Sequence, residues 1–164
     1  MGAGLVRRDG FVPTRFVRRR GCVVAGGMVL PPLVDRIRQW CDVEIAYGLT
    51  EAGPTVTATR RSDPLEKRRT TVGRPIDGVE VRVVDVRSGV LHGAEAAGGL
   101  VVQGTTLMDG YHRLPKATPR TLPPHGNMPT GAPALLRAGS LLTNVPTPTA
   151  NMLGGGATAR AAGG

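Results

Sequence analysis

Tyr47-Gly48-Leu49-Thr50-Glu51 gathers an aromatic ring, a small-residue backbone, a hydroxyl and a carboxylate into one short segment, directly after the apolar run Val43-Glu44-Ile45-Ala46. These are the groups a nucleotide site needs. A tyrosine offers a flat face to a base, and glycine lets backbone and ligand approach closely. Magnesium is held by carboxylate oxygen together with substrate phosphate rather than by an all-protein cage, so a single acid, Glu51, suffices to nominate a metal ligand. A second small-residue pair, Gly26-Gly27, comes after the apolar stretch Cys22-Val23-Val24-Ala25. It offers backbone that can lie flat against a ligand, and its plain alternative is a strand-to-helix turn.

The elements needed to position these residues can be read from the apolar spacing. Cys22 to Ala25 suits a short buried strand. Pro31-Pro32 opens a helix, where proline fits the first turn. Leu33, Val34, Ile37, Trp40 and Cys41 fall on one face of that helix, and Asp35, Arg36, Arg38 and Gln39 on the other. Val43 to Ala46 is β-prone and delivers the chain to Tyr47. Strand, helix, strand and loop in that order predict an α/β fold, here a partial α/β layer. Val79-Glu80-Val81-Arg82-Val83 alternates as a half-buried strand does, and Leu100-Val101-Val102 is its partner in a small antiparallel β unit appended to the layer.

From Pro119 the character changes. Asp109 is the last acidic residue, Lys116 the last lysine, and proline, glycine, alanine, threonine and leucine dominate the remainder. A segment of that kind buries too little to offset its ordering entropy. The expected organisation is a basic lead over 1–19, a folded unit over 20–118 and a low-complexity, disordered tail over 119–164.

The chain has 164 residues and a formal charge of +9, carried almost wholly by arginine. A basic chain invites a nucleic-acid partner, but the arginines are scattered, aromatic residues make up only 3%, and no recognition motif accompanies them. Cys22 and Cys41 are not in Cys-x-x-Cys spacing and His92, His112 and His125 are far apart, so no metal cluster is expected. Both cysteines, in apolar surroundings, are expected to be buried free thiols. No run approaches the ~18 apolar residues of a membrane span, and Met1 to Arg20 lacks the apolar core of a signal peptide. A cytoplasmic location is the expectation.

Taken in order, the segments resemble the acyl-CoA synthetases (fatty-acid–CoA ligases) of the adenylate-forming, AMP-binding superfamily. Gly26-Gly27 stands where the family has Gly-Gly-Ala-Pro, with Met28 and Val29 replacing the last two residues. Tyr47-Gly48-Leu49-Thr50-Glu51 matches the family's Tyr-Gly-x-Thr-Glu. Thr71-Val72-Gly73-Arg74-Pro75-Ile76 matches a Gly-x-Pro turn entering a strand, with Arg74 an exposed turn residue. Gly98-Gly99-Leu100, with Gly99 where glutamate is usual, leads through Gly104 to Met108-Asp109-Gly110-Tyr111. The resemblance covers residues 20–118 and implies a piece of the large N-terminal domain. It implies that Gly26, Gly27, Tyr47, Gly48 and Thr50 bind the nucleotide, with Tyr47 stacking on adenine and Thr50 touching the AMP phosphate. Thr50 and Glu51 would serve catalysis and Glu51 would hold Mg²⁺. ATP or AMP, Mg²⁺ and CoA are the implied cofactors, and a carboxylic acid the implied substrate.

The sequence also departs from that family. No Thr-Ser-Gly-Thr-Thr-Gly-like run with a lysine precedes Tyr47, and no lysine comes after Lys116. Where the family's Thr-Gly-Asp holds the ribose, the nearest match is Thr130-Gly131-Ala132, either a decayed form or a coincidence. The expectation is therefore a truncated acyl-CoA synthetase that is inactive as this chain and associates through exposed sheet edges. The alternatives are a non-catalytic nucleotide-binding fragment and a translated pseudogene product.

Overall fold

A computed structural model describes residues 21–93 and 95–143. The basic lead over 1–19 and the tail beyond 143 lie outside the described residues. Strand β1 (Cys22–Val24) pairs in parallel with β2 (Val43–Tyr47), Cys22 opposite Val43 and Val24 opposite Ile45. Helix α1 (Pro31–Arg38) makes the crossover. Its prolines occupy the first turn, where a missing N–H costs nothing. The Leu30 carbonyl accepts the Leu33 and Val34 N–H groups at 2.9 and 3.3 Å. Arg36 and Arg38 fall in its last turn, where cations complement the helix dipole. The predicted apolar face is the observed one: Val34 and Ile37 are buried with Val24, Val43 and Ile45, and Leu33, Trp40 and Cys41 pack against them.

Two short strands, β3 (Thr57–Ala58) and β4 (Arg74–Pro75), extend this sheet antiparallel in the order β1-β2-β3-β4. Between them lies helix α2 (Leu65–Thr70). Just before α2, the buried Asp63 accepts the Arg60 N–H and an Arg74 guanidinium N–H, each at 2.7 Å. Arg74 is exposed, as expected, but it is the ion-pair partner of that buried acid rather than an idle turn residue. Burial pushes the Asp63 carboxyl up. The Arg60 N–H and the Arg74 guanidinium outweigh it, and the net pKa lies below the ordinary value.

The second sheet runs β5 (Val79–Val84), β6 (Ala97–Gly104), β7 (Met128–Arg137), β8 (Ser140–Thr143), antiparallel throughout. A one-turn helix, α3 (Thr118–Thr121), precedes β7. Strands β7 and β8 correct the expectation that disorder begins at residue 119. Met128, Ala134 and Leu141 are completely buried against Val83, Leu100 and Val102. Pro129 and Pro133 lie within β7, although a proline cannot donate to a ladder and is confined to edges and bulges. The structure accommodates them with a bulge. Gly99 faces Pro133 and Val101 faces Pro129, so residues 130–132 swell out of β7, with Gly131 at φ +72°. The cysteines need a smaller correction: both are free, but they are half-buried at the rim of the first core, Cys22 at a sheet edge and Cys41 just past the helix end.

The two sheets meet at Val72-Gly73. The Val72 N–H donates to the Leu141 carbonyl at 2.9 Å, and the Leu141 N–H donates to the Gly73 carbonyl at 2.7 Å. On its other side Gly73 presses on the Ala58–Thr59 peptide so closely that a Cβ would overlap it, and its φ of +82° is one that L side chains avoid.

This packing can be tested at two positions. Gly73→Ala combines a forbidden backbone angle with a backbone clash, and urea denaturation should show a loss of about 2 kcal/mol or more; a loss below ~0.5 kcal/mol would contradict the packing described. Asp63 has a lowered folded-state pKa, so its stabilisation is present above the unfolded carboxyl value of 3.8 and disappears as pH falls through the folded value. Asp63→Asn should cost about 1–2 kcal/mol at pH 7, discounted for the half-exposed Arg74, and should flatten the acid limb of a stability–pH curve. An unchanged acid limb would contradict the pairing.

Candidate functional site

Strand β2 ends at Tyr47. Ile45 and Ala46 are buried and Tyr47 is half-buried at the strand end. Gly48 comes next and must be glycine, because a Cβ there would strike the Pro54 carbonyl and approach the Thr55 nitrogen at 2.9 Å. The chain then makes a single 3-10 turn over Thr50–Ala52, closed by the Ala52 N–H on the Leu49 carbonyl at 3.1 Å, and leaves through Gly53 at φ +83°. Thr50 is exposed, Glu51 half-exposed and Ala52 fully buried, so the turn is anchored by a methyl while its polar side chains stay accessible.

A concavity of about 530 Å³ is lined by Ala25, Gly26, Gly48, Leu49, Thr50 and Pro54. Three of the sequence-predicted residues, Gly26, Gly48 and Thr50, thus meet in one place although they come from two segments. Space beyond the backbone is open at both glycines of the first pair: a Cβ on Gly26 or Gly27 would meet nothing within 4 Å. Gly27 lines a separate small cavity of about 60 Å³ with Met28, Ile45, Arg69 and Thr143 among others.

Tyr47 packs against the second core, with its phenol beside the Thr130 hydroxyl. Burial raises the phenol pKa, and the nearby Thr130 hydroxyl partly offsets that rise. Thr130 lies in the β7 bulge. Its hydroxyl donates to the Leu100 carbonyl at 3.1 Å and accepts the Ala132 N–H at 3.1 Å. The Thr130-Gly131-Ala132 segment is therefore placed beside the tyrosine, and a bulge is a common device for aiming residues at a site.

Glu51 is held from the far side. The Tyr111 hydroxyl donates to Glu51 Oε1 at 2.7 Å, the Met108 N–H to the Glu51 carbonyl at 2.9 Å, and the Thr106 hydroxyl to the Ala52 carbonyl at 2.8 Å. The neighbouring Glu51 raises the Tyr111 phenol pKa, against a smaller lowering from Thr121. Glu51 Oε2 takes no protein hydrogen bond among the described residues. A half-exposed carboxylate with one free oxygen fits a magnesium ion that keeps several waters and binds through one acid plus phosphate. Thr130 and Tyr111 are the site residues that sequence reasoning passed over. Their signals, a Thr-Gly pair and a Gly-Tyr pair, lay in recognised segments but gave no hint of which residue they would touch.

The family model described as "AMP-binding enzyme" matches residues 8–112. Among curated proteins, the mouse (Mus musculus) mitochondrial medium-chain acyl-CoA ligase ACSF2 is 29% identical over 125 residues, which is 74% of this chain and 20% of that protein. The probable acyl-activating enzyme 16 of Arabidopsis thaliana chloroplasts is 35% identical over 111 residues, 66% of this chain and 15% of that protein. The chain thus spans about a fifth or less of the length of these relatives. Among solved structures, the anthranilate CoA ligase AuaEII in complex with anthranoyl-AMP superposes with a TM-score of 0.76 at 20% identity, over 87% of this chain and 27% of that one. The fold is that of adenylate-forming enzyme domains. No helix among the described residues is long and apolar enough to cross a membrane.

Thr130→Val removes the hydroxyl that lowers the Tyr47 phenol while leaving its burial. The Tyr47 pKa should rise further in a spectroscopic titration, and stability should fall by about 1 kcal/mol. A Tyr47 titration that does not move would separate the two residues.

Proposed function

The chain belongs to the AMP-binding enzyme family, and on that premise we propose that its Tyr47–Glu51 turn is the adenylate site of an acyl-CoA ligase. The reaction of such a ligase joins a carboxylic acid to AMP from ATP, releasing pyrophosphate, and then passes the acyl group to the CoA thiol. The observation that carries this reading is the concavity shared by Gly26, Gly48 and Thr50. Its size lies within the roughly 300–1,000 Å³ usual for small-molecule sites.

In this reading the face of the Tyr47 ring stacks on adenine, with the second core packed against the ring. Gly26, Gly27 and Gly48 present bare backbone to the nucleotide, and Thr50 hydrogen-bonds the AMP phosphate. Glu51 would hold Mg²⁺, which when bound supplies charge neutralisation at the phosphate. Thr50 and Glu51 are then the groups at the reacting centre. A carboxylic acid of the fatty-acid type and CoA are the remaining substrates, and a cytoplasmic location goes with this reading.

The same reading has these 164 residues binding nucleotide without completing the transfer. Ala132 offers a methyl where the family's aspartate offers an acceptor to the ribose. No serine- and threonine-rich glycine loop with a lysine is among the residues before Tyr47, and backbone amides with a lysine are what cradle a polyphosphate.

Calorimetric titration of the purified chain with AMP tests the site. Binding is expected, and Tyr47→Ala should weaken it by about 1–3 kcal/mol, the range for base stacking on an aromatic ring. Unchanged affinity would make Tyr47 a packing residue. With ATP and a fatty acid no pyrophosphate should be released; release would overturn the inactive reading while leaving the adenylate site standing.

A further inference from the structure

The contact between Tyr111 and Glu51 joins residues 60 apart in sequence. It is one of three bonds that the segment between β6 and α3 makes to the 3-10 turn, and the only one of them directed at a side chain that could meet a ligand. Tyr111 is itself firmly held. Its N–H donates to the Thr118 hydroxyl at 3.0 Å, and that hydroxyl donates to the Leu114 carbonyl at 3.3 Å. Gly110 makes the close approach possible: at φ +153°, a Cβ there would come within 2.8 Å of the Thr118 side chain.

A phenol donating to a carboxylate at 2.7 Å is a charge-assisted bond, stronger than one between neutral groups. It occupies Oε1 and restrains the rotation of the whole carboxylate. The other oxygen is left without a protein partner among the described residues. We infer that Tyr111 is a positioning residue that fixes Glu51 so that Oε2 meets a divalent cation. The inference rests on the adenylate-site reading and assigns Tyr111 a role within it. Carboxylates that ligate metals are commonly set by such outer partners, and losing one typically costs about 10–100-fold in metal affinity.

The test uses the full chain with Mn²⁺ as the probe, free ion counted by electron paramagnetic resonance in the presence of AMP. Tyr111→Phe keeps the ring and removes only the hydroxyl. It should weaken Mn²⁺ binding about 10-fold while metal-free AMP affinity stays the same. Glu51→Gln should abolish Mn²⁺ binding. Loss of Mn²⁺ binding in Glu51→Gln but parental affinity in Tyr111→Phe would overturn the role of Tyr111 alone. Parental Mn²⁺ affinity in Glu51→Gln, or no Mn²⁺ uptake by the parent, would overturn both the inference and the metal reading of Glu51. Equal loss of metal-free AMP affinity in Tyr111→Phe would show a merely structural tie and contradict the inference. A second readout is independent of affinity. Tyr47 and Tyr111 are the two tyrosines of the chain, so in a ¹³C-tyrosine spectrum bound Mn²⁺ should broaden the Tyr111 signal, and Glu51→Gln should remove that broadening.

Discussion

Everything in this fold depends on how closely Gly73 lies between two backbones. Ala58–Thr59 presses on one side and Leu141 bonds to the other. Val72, next to it, packs against both hydrophobic cores. The parallel layer carrying Tyr47 and the antiparallel sheet carrying Thr130 are thereby locked in one relation. A side chain at position 73 would push them apart, and the phenol of Tyr47 would move away from the Thr130 hydroxyl. The concavity itself is lined by segments of the first sheet, and the junction brings Thr130 and Tyr111 of the second unit beside Tyr47 and Glu51.

From that junction the chemistry is assembled by three separate segments. Strand β2 delivers the tyrosine and the 3-10 turn. The β7 bulge supplies Thr130, and the connection after β6 supplies Tyr111. Each uses a glycine where backbone must come close or turn sharply: Gly48 against Pro54, Gly131 within the bulge, Gly110 against Thr118. Packing of Tyr47 against the second core and the Tyr111 bond to Glu51 restrict both side chains before any ligand arrives. Such restriction lowers the ordering cost that binding would otherwise incur.

The parts legible in the sequence were those written locally. Paired prolines marked the start of α1, the spacing of Val34 and Ile37 gave its buried face, and alternation gave β5. The structure brings Gly26 and Gly48, from two glycine-bearing segments, to one concavity. What stayed hidden was non-local. Nothing around Arg74 indicates that it neutralises a buried Asp63, and nothing around Tyr111 points to Glu51. Strand β7 carries Pro129 and Pro133, which the ladder accommodates through the bulge between them. Composition then misled, because the absence of acids and lysines after Lys116 resembles a disordered tail, whereas Met128, Ala134 and Leu141 supply enough apolar surface to complete the second core.

The central claim is that a nucleotide sits at the end of β2, against Tyr47 and within reach of Gly26. Photolabelling with 2-azido-AMP, with peptide mapping of the product, tests it most directly. The account predicts label confined to the peptides carrying Gly26-Gly27 and Tyr47–Glu51, displaced by unlabelled AMP. Label spread over the arginine-rich helices α1 and α2, undiminished by AMP, would contradict it.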